Sequence, residues 1–262
     1  MELGLSDKLA LVSGSTKGIG HAIATGLAGE GARVIITGRS ESTVGESIAS
    51  IRNQFPAANL EGFAGDLSEP AWIKELVRRH PTVDILVNSL GVFNPKRFEH
   101  ISDEDWASIF DINVMSGVRL SRAYLPLMKQ ANWGRIVFIS SESAVQIPVE
   151  MIHYGVTKTA QVALSRGLAE SCAGTGVTVN TVLPGPTRSA GLEEMAAKVL
   201  KGETFEDFQN RFFKSARPSS LLRRFATTRE IANLVVYVCS EAASATNGAA
   251  LRVDGGVIRS VF

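Results

Sequence analysis

The chain has 262 residues, a formal net charge of +1, 45% hydrophobic and 20% charged residues, with 24 glycines and two cysteines. A balance so near neutral argues against a nucleic-acid arm or a membrane-surface patch. Cys172 and Cys239 are too few for a disulfide framework or a Cys-rich zinc site, so a reducing cytoplasm is the expected location. No apolar run approaches the ~18 residues of a membrane span, and the first residues lack a signal-peptide pattern.

In chain order, residues 8–13 read as a strand, 18–29 as a helix, 33–37 as a strand, and 41–54 and 69–80 as helices. Then come a strand at 83–88, a long helix at 103–130, a strand at 135–140, a helix at 154–173 and a strand at 177–182. A helix over 228–240 begins at a cap and precedes a last strand near 249–253. The strands are β-branched and almost continuously apolar, as in a sheet covered on both faces. Their alternation with helices predicts a parallel α/β sheet with right-handed crossovers, and no linker or repeat divides it, so residues 1–262 form a single domain. One stretch breaks the rhythm. Residues 186–225 carry several phenylalanines, with six basic and three acidic residues between Lys201 and Arg224. So long an excursion from a compact domain reads as a lid over a substrate site. Its charges suit either a weak preference for anionic substrates or a solvated helix whose phenylalanines dock on the core.

Directly after the first strand comes Ser13-Gly14-Ser15-Thr16-Lys17-Gly18-Ile19-Gly20, then an apolar-periodic helix. Glycines at 14, 18 and 20 permit a tight turn and close approach of a ligand to the backbone. The new helix aims its N–H groups and dipole at that ligand, which suits a pyrophosphate. The second strand ends Thr37-Gly38-Arg39-Ser40. A carboxylate at its end would hold the ribose 2′-hydroxyl of NAD; glycine stands there instead, with an arginine next, a residue that binds phosphate in a bidentate manner. NADP(H) is therefore expected over NAD(H), with Lys17 offering a second cation.

The strand over 135–140 ends in Ser140-Ser141, and Tyr154-Gly155-Val156-Thr157-Lys158 opens the following helix. Tyr and Lys at i and i+4 share a helix face. An ammonium beside a phenol, together with a positive nicotinamide ring, lowers the phenol pKa from its ordinary value near 10. Tyr154 can then exchange a proton with a carbonyl or alcohol oxygen held by Ser141 while hydride moves on the cofactor. Read alone, a Tyr-x-x-x-Lys pair is common on surface helices; the glycine turn and the serine-ended strand give it meaning.

These residues, with Gly65-Asp66-Leu67, Asn88, Gly91, Asn113 and Pro184-Gly185, make the whole chain resemble a short-chain dehydrogenase/reductase. The resemblance implies a Rossmann-like doubly wound sheet of about seven strands, helices on both faces and a homo-oligomer, tetramer or dimer. It gives Asn113 the holding of a water in a proton relay to Lys158, and Lys158 a second role on the nicotinamide ribose. It also implies that Gly14, Ser15, Thr16, Lys17, Gly18, Ile19, Gly20, Arg39, Asp66, Leu67, Asn88, Gly91, Tyr154, Lys158, Pro184 and Gly185 border the cofactor, with Asp66 and Leu67 at the adenine. Thr187, then Ser189, are candidates for the nicotinamide carboxamide. The sequence departs from the family pattern at Ser13, which keeps a hydroxyl, and at Leu90, which is bulkier than the usual alanine. Glu142, Gln146, Glu150, Met151, His153, Phe93 and Asn94 are candidates for the substrate pocket, and His153 and His21 read as structural or surface residues. No cluster has metal-ligand spacing, so no metal is expected. The expected activity interconverts a secondary alcohol and a ketone or aldehyde. A 3-oxoacyl-[acyl-carrier-protein] reductase is a narrower alternative, and a non-catalytic NADP sensor is a rival that leaves the serine, tyrosine and lysine unexplained.

Overall fold

In the computed structural model, which describes residues 2–189, 191–193 and 204–261, seven parallel strands form one sheet in the order β3-β2-β1-β4-β5-β6-β9. The strands are β1 (Leu9–Val12), β2 (Arg33–Gly38), β3 (Leu60–Ala64), β4 (Ile85–Asn88), β5 (Gly134–Ile139), β6 (Val177–Pro184) and β9 (Ala250–Val253). A separate two-stranded ribbon joins β7 (Thr187–Arg188) to β8 (Ala226–Thr227). Helices cover both faces: α1 (Gly18–Gly29), α2 (Glu41–Gln54), α3 (Pro70–Arg79), α4 (Asp103–Phe110), α5 (Ser116–Gln130), α6 (Ile152–Ser171), α7 (Phe205–Ser215) and α8 (Thr228–Val238).

Successive strand residues point to opposite faces, and the core divides accordingly. Ala10, Val12, Val34 and Ile36 face one layer with Ile23 and Leu27 of α1 and Ile231 and Val235 of α8. Leu11 and Ile35 face the other, with Ile73 of α3 and Leu120 and Tyr124 of α5. The expected doubly wound sheet is therefore present. Both neighbours of β1 are parallel to it, Val12 pairing with Ile36 of β2 and with Val87 of β4. Chain connections run outward in both directions from this point, so a crevice opens at the carboxyl ends of β1 and β4, where such sheets bind ligands.

Three elements differ from the sequence reading. Strand β3 was absent from the periodicity and came only with the family resemblance. Its LEGFA sequence buries Leu60 and Phe63 but places Gly62 in solvent at the edge of the sheet, so neither an alternating nor a continuous apolar pattern shows. The single helix expected over 103–130 is broken by a π-helical turn, Asp111–Met115, and continues as α5. π turns of this kind interrupt helices at functional positions, and this one carries buried Asn113. The lid phenylalanines pack mostly on one another: Phe208, Phe213 and Phe225 are buried together, flanked by Leu192, Phe205 and Phe212, as a cluster separate from the main core. Residues 190 and 194–203 of the expected lid lie outside the described residues. α8 begins as expected at a cap, a reciprocal box between Thr227 and Glu230.

Candidate active site

The turn after β1 is fastened from beneath. The Ser15 hydroxyl donates to Val12 O at 2.8 Å and accepts from Thr37 N at 2.9 Å, so it ties the turn to β2. Gly14 N donates to the Thr37 hydroxyl at 3.0 Å. Ser13, the departure from the family threonine, keeps the local bonding: its Oγ accepts from Ser89 N at 2.9 Å and Leu90 N at 3.0 Å. Leu90 lies against the turn, its Cα 3.3 Å from where a Gly14 Cβ would stand.

The cradle fits a dinucleotide. Gly14 and Gly18 have φ of +66° and +63°, a region that L side chains rarely adopt. A Cβ on Gly20 would stand 2.4 Å from Gly14 O. Among the described residues, its own helix and chain neighbours aside, Ser189 Cβ at 3.8 Å is the only atom within 4 Å of a would-be Cβ on Gly18. Lys17 at the cap of α1 makes no side-chain cap bond, and the first turn has no acidic residue. At the end of β2, a Cβ on Gly38 would come within 2.4 Å of Thr16 Cγ2, so a side chain there would have to displace the Thr16 methyl. Arg39 is exposed beside it. Asp66 closes a turn by accepting from Ser68 N and Oγ at 3.0 and 2.6 Å. Those bonds, with a smaller contribution from the Arg39 charge, hold its carboxyl below the usual range. Leu67 is buried in the core. Asn88 is buried at the end of β4, donating to Ser121 Oγ at 3.4 Å. Pro184 ends β6, and a Cβ on Gly185 would strike Asp254 O at 2.5 Å. The Thr187 hydroxyl donates to Gly185 O at 2.8 Å, whereas Ser189 stands over Gly18, so the second-ranked candidate is the one nearer the pyrophosphate turn.

Ser141, Tyr154, Lys158 and Asn113 converge at the carboxyl end of β5. Ser141 follows β5 and caps a short 3₁₀ turn, its Oγ accepting from Ser143 N at 3.1 Å. α6 starts two residues earlier than expected, so Tyr154 lies in its first turn. The Ser141 hydroxyl acts on the Tyr154 phenol closely enough to lower its pKa, and the Phe93 ring packs edge-on against it, centroids 6.2 Å apart. Lys158 is buried, with Nζ 3.0 Å from Ile139 O and 5.5 Å from the Tyr154 ring centroid. Gly91 closes the other side: a Cβ there would be 3.3 Å from Lys158 Nζ.

Burial dominates the electrostatics of the site in the protein alone. Burial pushes the Tyr154 phenol up to about 12, ahead of the Ser141 hydrogen bond that pulls it down. Burial likewise brings Lys158 down to about 7. In the protein alone, lysine therefore does not depress the phenol; desolvation of both groups outweighs their attraction. Asn113 is also fully engaged. Its Oδ1 accepts from Val92 N at 2.8 Å, and its Nδ2 donates to Val92 O at 2.9 Å and Thr157 Oγ1 at 3.0 Å. Its main-chain oxygen accepts from Gln161 Nε2 at 2.6 Å, while Gln161 Oε1 accepts from Lys158 Nζ at 3.1 Å. The Gln161 amide thus bridges Asn113 and Lys158. Gln161 was missed in the sequence, although its i+3 spacing from Lys158 marks it as sharing that face.

Chain-wide comparison agrees with this geometry. The pattern of the family described as enoyl-(acyl carrier protein) reductase matches residues 14–258. The chain is 48% identical to the uncharacterized oxidoreductase YvaG of Bacillus subtilis, over all of both chains. It is 33% identical to the 3-oxoacyl-[acyl-carrier-protein] reductase FabG of Aquifex aeolicus, covering 98% of this chain and all of the other. The chain belongs to the short-chain dehydrogenase/reductase family. This reductase fold superposes on that of L-sorbose reductase from Gluconobacter frateurii, solved with NADPH and L-sorbose, at a TM-score of 0.92 and 32% identity over the full length of both. It is an oxidoreductase, and the Rossmann-like fold and the family read from the motifs are both correct.

Of the substrate-pocket candidates, Phe93 is 48% exposed beside Tyr154 and Glu142 is 3% exposed behind Ser141. His153 is buried, its ring 5.9 Å from that of Trp106, in a structural position. His21 is half-buried with Nδ1 2.8 Å from Ser47 Oγ. Among the described residues no three His, Cys, Asp or Glu side chains group as a metal site, and no helix is long and apolar enough to cross a membrane.

Proposed function

We propose that this enzyme interconverts a secondary alcohol and a ketone or aldehyde, with NADP(H) preferred over NAD(H) and Tyr154 as the general acid/base. The observation that carries the reading is the meeting of Ser141, Tyr154 and Lys158 at the mouth of the crevice that the glycine turn opens. When bound, the dinucleotide supplies or accepts the hydride. The protein's own groups do the rest. The Ser141 hydroxyl orients the substrate oxygen, and the Tyr154 phenol, kept protonated by burial, donates to that oxygen in reduction and receives from it in oxidation. The charged form of Lys158 stabilises the phenolate left behind, and the Ile139 carbonyl and the Gln161 amide fix where its Nζ sits.

Arg39 at the end of β2 and glycine rather than a carboxylate at position 38 support NADP(H), and exposed Lys17 adds positive charge near the turn. The α7 segment serves as the lid of a single domain. The described basic groups of that segment include Arg188, Arg217 and Arg224, each paired with a glutamate, which weakens the reading of the lid as an anion trap and with it a narrow carrier-protein specificity. The enzyme works in the cytoplasm as a homo-oligomer, tetramer or dimer, to which exposed Leu127 of α5 and Ala163 of α6 offer outer faces. Tyr154→Phe tests the reading: turnover of ketones with NADPH collapses while NADPH binding, followed by its fluorescence, persists. Unchanged turnover would remove Tyr154 as the proton donor, and loss of binding alone would favour a sensor.

A further inference from the structure

Beside the reacting groups stands an apolar wall that the chemistry above leaves unused. Val92, Phe93, Val145, Ile147 and Val149 are 41–80% exposed. They belong to two connections, residues 91–97 after β4 and 145–151 before α6. A main-chain bond joins the two, Lys96 N donating to Glu150 O at 2.9 Å. Each is also fastened to the elements that carry the reacting groups. Asn113 holds both main-chain atoms of Val92, and the Thr159 hydroxyl of α6 donates to Ala144 O at 2.8 Å. Ile147 rests on α6 where Gly155 has no side chain; a Cβ there would stand 2.6 Å from Ile147 Cγ2. Phe93 packs on the Tyr154 ring itself.

A contiguous group of apolar side chains left in water marks a binding surface, and one held in place beforehand suits a small ligand. The charges of the same segments are occupied. Lys96 pairs with Asp105, Arg97 with Glu99, and Glu142 and Glu150 with Arg217. Asn94 and Gln146 add two amides to the wall. A row of hydroxyls, or a charge, brought into this setting would lose water without a matching set of partners. Methylenes would gain from the same move. Phe93 touches Tyr154, so whatever covers the wall also covers the phenol. A substrate does so productively, whereas a second copy of the chain would block the site.

Resting on the carbonyl chemistry proposed for Tyr154, we infer that the substrate is a ketone or aldehyde bearing an apolar chain or ring. That group lies on Phe93, Val145 and Ile147 while the carbonyl meets Ser141 and Tyr154. Polyhydroxylated and charged carbonyl compounds are the disfavoured classes.

The test is a series of methyl ketones from butanone to heptanone, reduced by the wild-type enzyme and followed by NADPH oxidation. Burial of each added methylene on a half-open wall should raise kcat/KM roughly two- to fourfold, so heptanone should exceed butanone by about 10- to 60-fold. Pentanone with its terminal methyl replaced by hydroxyl should be about 10-fold poorer than pentanone. Phe93→Ala and Val149→Ser should each lower the heptanone-to-butanone ratio by about threefold or more, carried by KM. Val149 is 80% exposed, so its substitution leaves the packing alone, and NADPH binding reports that both variants are folded. A level series in the wild type, a hydroxylated ketone as good as its isostere, or an equal fall for both ketones in the variants overturns the assignment and leaves the carbonyl chemistry standing. A wild-type enzyme inactive on every ketone and aldehyde refutes the function itself, and this assignment with it.

Discussion

Replacing Arg39 by serine isolates the basis of cofactor choice. Arg39 is exposed at the end of β2, so its bond to a 2′-phosphate is partly screened by water. A charge-assisted hydrogen bond contributes about 1.5–3 kcal/mol, and exposure places this one near the lower end. Asp66 adds to the effect. The Arg39 charge already reaches its carboxylate, and with the arginine gone that carboxylate would stand near the phosphate with less compensation. At 1.36 kcal/mol per tenfold, the two together predict a loss of about 10- to 50-fold in kcat/KM for NADPH, carried by KM. NADH has no 2′-phosphate and should stay within about twofold. Initial rates with both cofactors, repeated at low and high salt, measure it, and the wild-type advantage of NADPH should shrink as salt rises. An equal loss for both cofactors, a variant that still prefers NADPH, or a wild type that prefers NADH would refute the reasoning.

Three further outcomes follow from the site. Because burial sets Lys158 near 7 while Tyr154 stays protonated to about 12, reductive kcat/KM should be level below pH 7 and fall as the ammonium is lost above it, with the oxidative direction favoured at high pH; a level reductive profile to pH 9 would remove Lys158 from this role. Gln161→Leu deprives Lys158 Nζ of one of its two bonds and should move that falling limb to lower pH, while Gln161→Glu, by placing a negative charge there, should move it higher; identical limbs in both variants would show that the amide does not set the lysine. Gly20→Ala drives a Cβ to 2.4 Å from Gly14 O, so both Tm and NADPH affinity should fall, at a cost of about 1–3 kcal/mol, and an unshifted melting curve would contradict the close approach.

Much of this was legible beforehand because its causes are local. The glycine turn announces itself by backbone freedom, the strands by apolar runs, and Tyr154 and Lys158 by helical spacing. What stayed hidden has non-local causes. β3 is an edge strand whose pairing with β2, not its own pattern, makes it a strand. The π turn at Asp111–Met115 leaves no mark in a helical sequence, yet it carries Asn113 into hydrogen bonds with Val92 and Thr157. Arg217 meets Glu142 across 75 residues, a separation no spacing rule covers. In the protein alone the Tyr154 phenol is raised by burial, a shift hidden from the sequence, which shows which charges are neighbours but not how much water has been removed from around them.

The contact between Gly38 and Thr16 constrains the order in which this cofactor site could change. A lineage drifting toward NAD(H) would gain by placing an acid at position 38, yet the first atom of any side chain there meets the Thr16 methyl at 2.4 Å. The Thr16 methyl must therefore turn aside, or a smaller residue stand at position 16, before that side chain fits. Arg39 can be lost at any time, but losing it only weakens the present cofactor. Positions 16 and 38 are thus coupled in cofactor choice, and a library that varies both together should return more folded proteins than one that varies position 38 alone.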